Sequence, residues 1–136
     1  MIKILIMGLS GAGKTTLAGK LASRLPDAVW FNADEQRKLH NDWDFSHAGR
    51  IRQAHRMRQL AEFSGKTYVI ADFIAALEEQ RDIFQPDVLI WMNTIPSCQF
   101  EDTNKAFQPP SHVDIRFDTL DDANVDSVLS LIAHRG

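Results

Sequence analysis

Gly8-Leu9-Ser10-Gly11-Ala12-Gly13-Lys14-Thr15-Thr16 decides the fold. The run Ile2 to Met7 before it is apolar, rich in β-branched residues, and stopped by Gly8. It reads as a buried strand, since a central parallel strand is apolar on both faces. After it, Leu17, Ala18, Leu21, Ala22 and Leu25 recur at helical spacing from Lys14 to Leu25, and Pro26 stops the helix. A strand, a glycine-rich turn and a helix are the parts needed to hold a chain of phosphates. Glycines at 8, 11 and 13 let the backbone curl and come close, with N–H groups pointing inward. The helix adds free N-terminal donors and the positive end of its dipole.

The spacing Gly8-x-x-x-x-Gly13-Lys14-Thr15 fits the Walker A pattern in its expected setting. On this reading Gly8, Ser10, Gly11, Ala12 and Gly13 cradle the phosphates. Lys14 reaches the β- and γ-phosphates, the Thr15 hydroxyl ligates Mg²⁺, and Thr16 contacts the α-phosphate. ATP and Mg²⁺ are therefore the expected cofactors.

Outward from this loop, strands and helices alternate. Strands are predicted at Ala28 to Phe31, Thr67 to Ala71, Val88 to Met92 and Val113 to Phe117, the last alternating like an edge strand. Helices are predicted at Asp34 to His40 with Asp34 as N-cap, Ser46 to Ser64 with Gly65 as C-cap, Ala75 to Phe84, and Asp121 to His134. Residues 93 to 111 lack periodicity, carry three prolines, and read as irregular. The pattern implies one α/β domain over residues 1–136, a three-layer P-loop fold with a mainly parallel five-stranded sheet. Ligand groups should gather at the carboxyl ends of its strands.

A net charge of −3 gives no basic field for nucleic acid or an anionic membrane surface. No stretch approaches the roughly 20 apolar residues of a membrane span. Met1-Ile2-Lys3 opens directly into a strand-like run without a cleavable signal pattern, so a cytoplasmic location is expected. Cys98 is the one cysteine, which excludes an internal disulfide. ATP, a small-molecule acceptor and a second copy of the chain (a homo-oligomer) are the partners this reading admits.

Two carboxylates stand where chemistry should occur. Asp34 follows the second strand, where it could take the proton of an acceptor hydroxyl or orient that hydroxyl for in-line attack. Lys14 and Asp34 are therefore the candidate catalytic residues. Asp72 ends Tyr68-Val69-Ile70-Ala71 and could hold the metal together with Thr15. Asp42, Asp44, Glu78, Glu79, Asp82, Asp121 and Asp122 read as solvated or capping residues. The helix from Ser46 buries Ile51, Ala54, Met57, Leu60 and Ala61, and Arg50 falls on that stripe. A buried arginine needs a partner, and an anionic substrate is a candidate. Gln53 lies beside it. Arg52, Arg56 and His55 point to the opposite, solvent-facing side.

These stretches resemble the adenylylsulfate kinase family. Gly-Leu-Ser-Gly-Ala-Gly-Lys-Thr is a form typical of it. Phe31-Asn32-Ala33-Asp34-Glu35-Gln36-Arg37 resembles its Asp-Gly-Asp-x-x-Arg segment, with Asn32 in place of the first Asp. Asn41 to Arg50 resembles its Asn-x-Asp-Leu-Gly-Phe-Ser-x-x-x-Arg, one residue shorter. Asp72-Phe73-Ile74 and Arg81-Asp82 resemble Ser-Phe-Ile-Ser-Pro and a later Arg-Asp, and Phe100 to Pro110 more distantly resembles a further Phe- and Pro-bearing segment.

The resemblance implies transfer of phosphate from ATP to the 3'-hydroxyl of a sulfated adenosine nucleotide. Asp34 would serve the acceptor, Arg37 and Arg50 would hold its anionic end, and Phe45 and Phe100 would sandwich its adenine. Phe73 and Gln53 complete the implied substrate set. The chain departs from the family pattern between Met92 and Phe100, where a Lys- and Arg-rich lid is missing. Gln53 stands for Asn, Glu78 for Arg, and Asp72, Ala75 and Ala76 for Ser, Ser and Pro. The acceptor thus stays open between adenylylsulfate, a modified nucleotide and a polymer hydroxyl. A non-catalytic ATP-binding module is a third reading.

Overall fold

The computed structural model describes residues 1–135. The elements run β1 Ile2–Met7, α1 Lys14–Arg24, β2 Ala28–Asn32, α2 Ala33–His40, α3 His47–Glu62, β3 Tyr68–Asp72, α4 Glu78–Phe84, β4 Val88–Met92, α5 Glu101–Ala106, β5 Ile115–Phe117 and α6 Asn124–Arg135. The five strands are ordered β2-β3-β1-β4-β5, and every pairing is parallel. The expected "mainly parallel" sheet is thus fully parallel.

Alternation along β1 divides the core. Ile4 and Ile6 face Leu17, Ala18 and Leu21 of α1 and Val128 and Ile132 of α6. Leu5 and Met7 face Met57 and Ala61 of α3 and Phe84 of α4. All four β1 residues are fully buried, as a central strand with helices on both faces requires. At about 25 cal/mol per Å² of apolar surface removed from water, the two layers are what hold the sheet's carboxyl edge in place.

Several local expectations shift. Asn32, not Asp34, caps α2: its side chain accepts the Glu35 N–H at 3.0 Å. The chain leaves helical geometry at Phe63, before Gly65, whose φ of +71° serves the following turn. The helix expected from Ala75 starts only at Glu78, because Ala75 takes a left-handed φ of +49° and Gln80 Oε1 accepts the Leu77 N–H at 3.1 Å. Inside the segment read as irregular, residues Glu101–Ala106 form α5, too short to show a period.

Asp42 also departs from its expected solvated state. Its carboxylate receives Arg52 and Arg56, each at 2.8 Å, and Arg52 reaches Asp44 at 3.1 Å. Arg56 is therefore only 14% exposed in its side chain, not solvent-facing as expected. These pairs hold the Asn41–Ser46 turn in the shape that carries Phe45.

Candidate active site

The carboxyl ends of β1, β2 and β3 open into a cleft of about 1010 Å³. The phosphate-binding loop forms its floor. Gly13 caps α1 in the left-handed region at φ +96°, which a residue with a Cβ rarely adopts. Ala12 N–H bonds back to the Leu9 carbonyl at 3.1 Å, and Thr94 Oγ1 donates to the Ala12 carbonyl at 2.8 Å. Lys14 is 9% exposed, and its Nζ donates to the Leu9 carbonyl at 3.0 Å. Burial lowers its pKa below the ordinary lysine value, with Asp72 and Asp34 pulling the other way.

At the back of the floor, three side chains meet. Thr15 Oγ1 donates to Asp72 Oδ2 at 3.0 Å, and Asn32 Nδ2 donates to the same oxygen at 2.9 Å. Burial raises the Asp72 carboxyl above its ordinary value, while these donors and Lys14 oppose that rise. A hydroxyl and a carboxylate are hard oxygen donors of the kind Mg²⁺ takes, with phosphate oxygens and water filling the other positions. Among the described residues no group of three or more His, Cys, Asp or Glu forms a metal cage. The donor set thus fits a nucleotide-borne Mg²⁺.

The other wall carries the residues that the sequence assigns to an acceptor. Asp34 lies in the first turn of α2, exposed in the cleft, with no hydrogen bond or ion pair among the described residues. Arg37 is 3% exposed and donates through Nη1 to the carbonyls of Asp42 and Asp44 at 3.0 and 3.1 Å. Arg50 is 4% exposed and donates to the Phe45 carbonyl at 2.9 Å. Among the described residues neither guanidinium is ion-paired with a carboxylate, and burial depresses the pKa of both. Two desolvated positive charges with only neutral partners make this wall attractive to an anion.

The aromatic candidates line the same cleft in different ways. Phe45 and Phe100 are exposed at the rim. The Arg37 guanidinium lies 4.1 Å from the Phe45 ring centroid and Arg50 lies 5.6 Å from it, so the two cations also organise that ring. Phe73 is buried and packs edge-on against Phe84 at 5.8 Å. Gln53 borders the cleft, yet its amide is committed: Nε2 donates to the Ala33 carbonyl at 3.1 Å, and Oε1 accepts from Arg56. Ser10, Gly11, Gly13, Lys14, Thr15, Thr16 and Asp72 also line it.

Sequence reasoning missed Thr103, Asp102 and Trp43, which also line the cleft. The first two sit on α5, which no periodicity announced. Asn32 stands at a strand end where ligand groups gather, and its preference for helix N-caps was a usable signal for its role there.

The adenylylsulphate kinase family model matches residues 1–91, from β1 through most of β4. No curated protein matches the sequence significantly. Among solved structures, the APS kinase CysC of Mycobacterium tuberculosis, determined with AMPPNP and APS, superposes with a TM-score of 0.81 at 20% identity, over 97% of each chain. A gluconokinase of Sinorhizobium meliloti gives 0.73 at 14% identity, over 98% of this chain and 93% of that one. Shikimate kinase of Acinetobacter baumannii, determined with shikimate, gives 0.67 at 19%, over 99% and 94%. At these identities the likeness is one of fold. The family model, matching two-thirds of the sequence and the whole donor floor, carries further: the chain belongs to the adenylylsulphate kinase family of ATP-dependent phosphotransferases.

Proposed function

We propose that the protein transfers the γ-phosphoryl group of ATP to a hydroxyl of a small anionic acceptor, with adenylylsulfate the first candidate. The observation that carries this is the layout of one cleft. Lys14, Thr15 and Asp72 form its floor, and a free Asp34 with two buried, non-ion-paired arginines forms its far wall. In this reading Lys14 leaves the Leu9 carbonyl for the β- and γ-phosphate oxygens. Asp34 accepts the hydrogen of the acceptor hydroxyl, whose oxygen bonds to the γ-phosphorus as the bond to the ADP oxygen breaks. Arg37 and Arg50 hold the acceptor's anionic end, and the Phe45 and Phe100 rings border its flat part. Mg²⁺, held by the Thr15 hydroxyl and through water by Asp72, would offset the charge on the phosphoryl oxygens. No helix among the described residues is long and apolar enough to cross a membrane, and we place the reaction in the cytosol, where ATP is supplied.

ADP release with and without adenylylsulfate tests the reading. Stimulation of about tenfold or more supports it. Stimulation only by another hydroxyl compound keeps the kinase and replaces the acceptor. Tight ATP binding with no stimulated release by any acceptor would leave a binding module.

A bulkier acceptor is the second reading, favoured by the rim. Trp43 is 53% exposed and Phe100 49% exposed, and a shallower recess lined by Trp43, Phe45, His47, Leu77 and Asp102 continues from the cleft. Exposed aromatic rings beside a binding cleft suit a second flat or apolar group.

A further inference from the structure

Asn32 and Asp72 close the adjacent strands β2 and β3 and are register partners in the sheet. The Asn32 amide works at both ends. Its Nδ2 donates to Asp72 Oδ2 at 2.9 Å and lies 3.4 Å from Thr15 Oγ1. Its Oδ1 accepts the Glu35 N–H at 3.0 Å and so caps α2, whose first turn carries Asp34. A single side chain thereby touches the metal-side carboxylate and the helix that bears the acceptor-side carboxylate.

The chemistry of this position admits few residues. One end must donate and the other must accept, which an amide does and a carboxylate does not. An aspartate would keep the cap and set a second negative oxygen against Asp72. A serine would keep the cap but fall short of β3. Asp72 is 2% exposed, so water cannot replace a lost donor freely.

We infer that Asn32 is a positioning residue: its amide fixes the Asp72 carboxylate against Thr15 for the cation that accompanies the nucleotide, while holding Asp34 at the head of α2. The inference rests on the kinase reading for the identity of that cation. Near-ideal octahedral geometry makes Mg²⁺ sensitive to ligand orientation, and partners of ligand groups commonly matter 10- to 100-fold.

Calorimetry with AMPPNP, in Mg²⁺ and separately in EDTA, separates this role from a purely structural one. The readout is the ratio of the two affinities. Asn32→Ser, which can still cap α2, should cut that ratio about tenfold and leave the EDTA affinity within about twofold. Asn32→Ala should cut it equally and also lower the thermal midpoint in EDTA, because the cap is gone. Asp72→Asn should abolish most of the ratio. Adding Asn32→Asp to Asp72→Asn returns one carboxylate and one amide to the pair, and should recover the ratio to within about threefold of wild type. An Asn32→Ser ratio equal to wild type would overturn the inference, as would equal losses in Mg²⁺ and EDTA. Failure of the double variant to improve on Asp72→Asn would do the same. A wild-type protein with no Mg²⁺-dependent gain would instead sink the kinase reading.

Discussion

Arg50 Nη2 donates to Thr103 Oγ1 at 3.2 Å, joining α3 to α5 across 53 sequence positions. The bond anchors a buried cation that also donates to the Phe45 carbonyl and lies over the Phe45 ring. It also makes α5, an element outside the region matched by the family model, a wall of the cleft beside Arg50.

This wall should govern the acceptor and spare the donor. Arg50→Lys keeps the charge and loses the planar fork. It should raise the acceptor KM about tenfold and leave the ATP KM within about twofold, in steady-state kinetics with each substrate varied. Thr103→Val should give a smaller rise, about two- to fivefold. An ATP KM that rises more than the acceptor KM would move Arg50 to the donor side.

Lys14→Ala should reduce turnover about 100-fold or more, since it removes the one ammonium group on the floor. Thermal stability should not fall with it. Burial already penalises the Lys14 charge, and its hydrogen bond goes to a single carbonyl. A thermal scan without nucleotide checks this, with a midpoint equal to or above wild type expected.

Asp72 gives the metal-free protein a pH dependence. Burial raises its carboxyl above the ordinary 3.8, so the folded state holds a proton that the unfolded chain has already released. Stability therefore falls as pH rises from about 4 toward the raised value, and levels off beyond it. Asp72→Asn removes this loss. The midpoint difference between Asp72→Asn and wild type, measured in EDTA from pH 4 to pH 8, should grow in favour of the variant. Asp42 works in the opposite sense: hydrogen bonds from Arg52 and Arg56 lower its pKa, so its contribution fades as pH falls.

Gly49→Ala should destabilise despite the better helix propensity of alanine. A Cβ at Gly49 would run into the Asp44 carbonyl and the Asp44 side chain. The clash should cost about 1–3 kcal/mol, seen as a thermal midpoint several degrees lower. It should also impair acceptor use, because the same turn carries Phe45 and receives Arg37.

What lay open in the sequence was local. The loop from Gly8 to Thr16 declared itself because phosphate binding needs glycines, a lysine and a hydroxyl at fixed spacing on one strand-to-helix turn. The strands predicted from Ile2, Ala28, Thr67 and Val88 showed as apolar runs, most plainly in the central β1, which loses water on both faces. Asp34 and Asp72 were legible because strand ends in a parallel sheet point at one edge. The cap at Asn32 was readable too, since asparagine favours helix N-caps as strongly as the aspartate two residues on.

What only the folded chain decided depends on partners far apart in sequence. Whether Arg50 faced a carboxylate or a hydroxyl was set by Thr103 on a six-residue helix without periodicity. That Arg56 is drawn in and Asp42 is an ion-pair hub followed from a turn folding back on α3, which helical phase alone placed in solvent. The pairing of Asn32 with Asp72 arose from strand order, because β3 enters the sheet beside β2. Short-range spacing fixes which atoms a turn can offer to a phosphate. Desolvation and long-range packing fix which charges remain unpaired, and so what the far wall can hold.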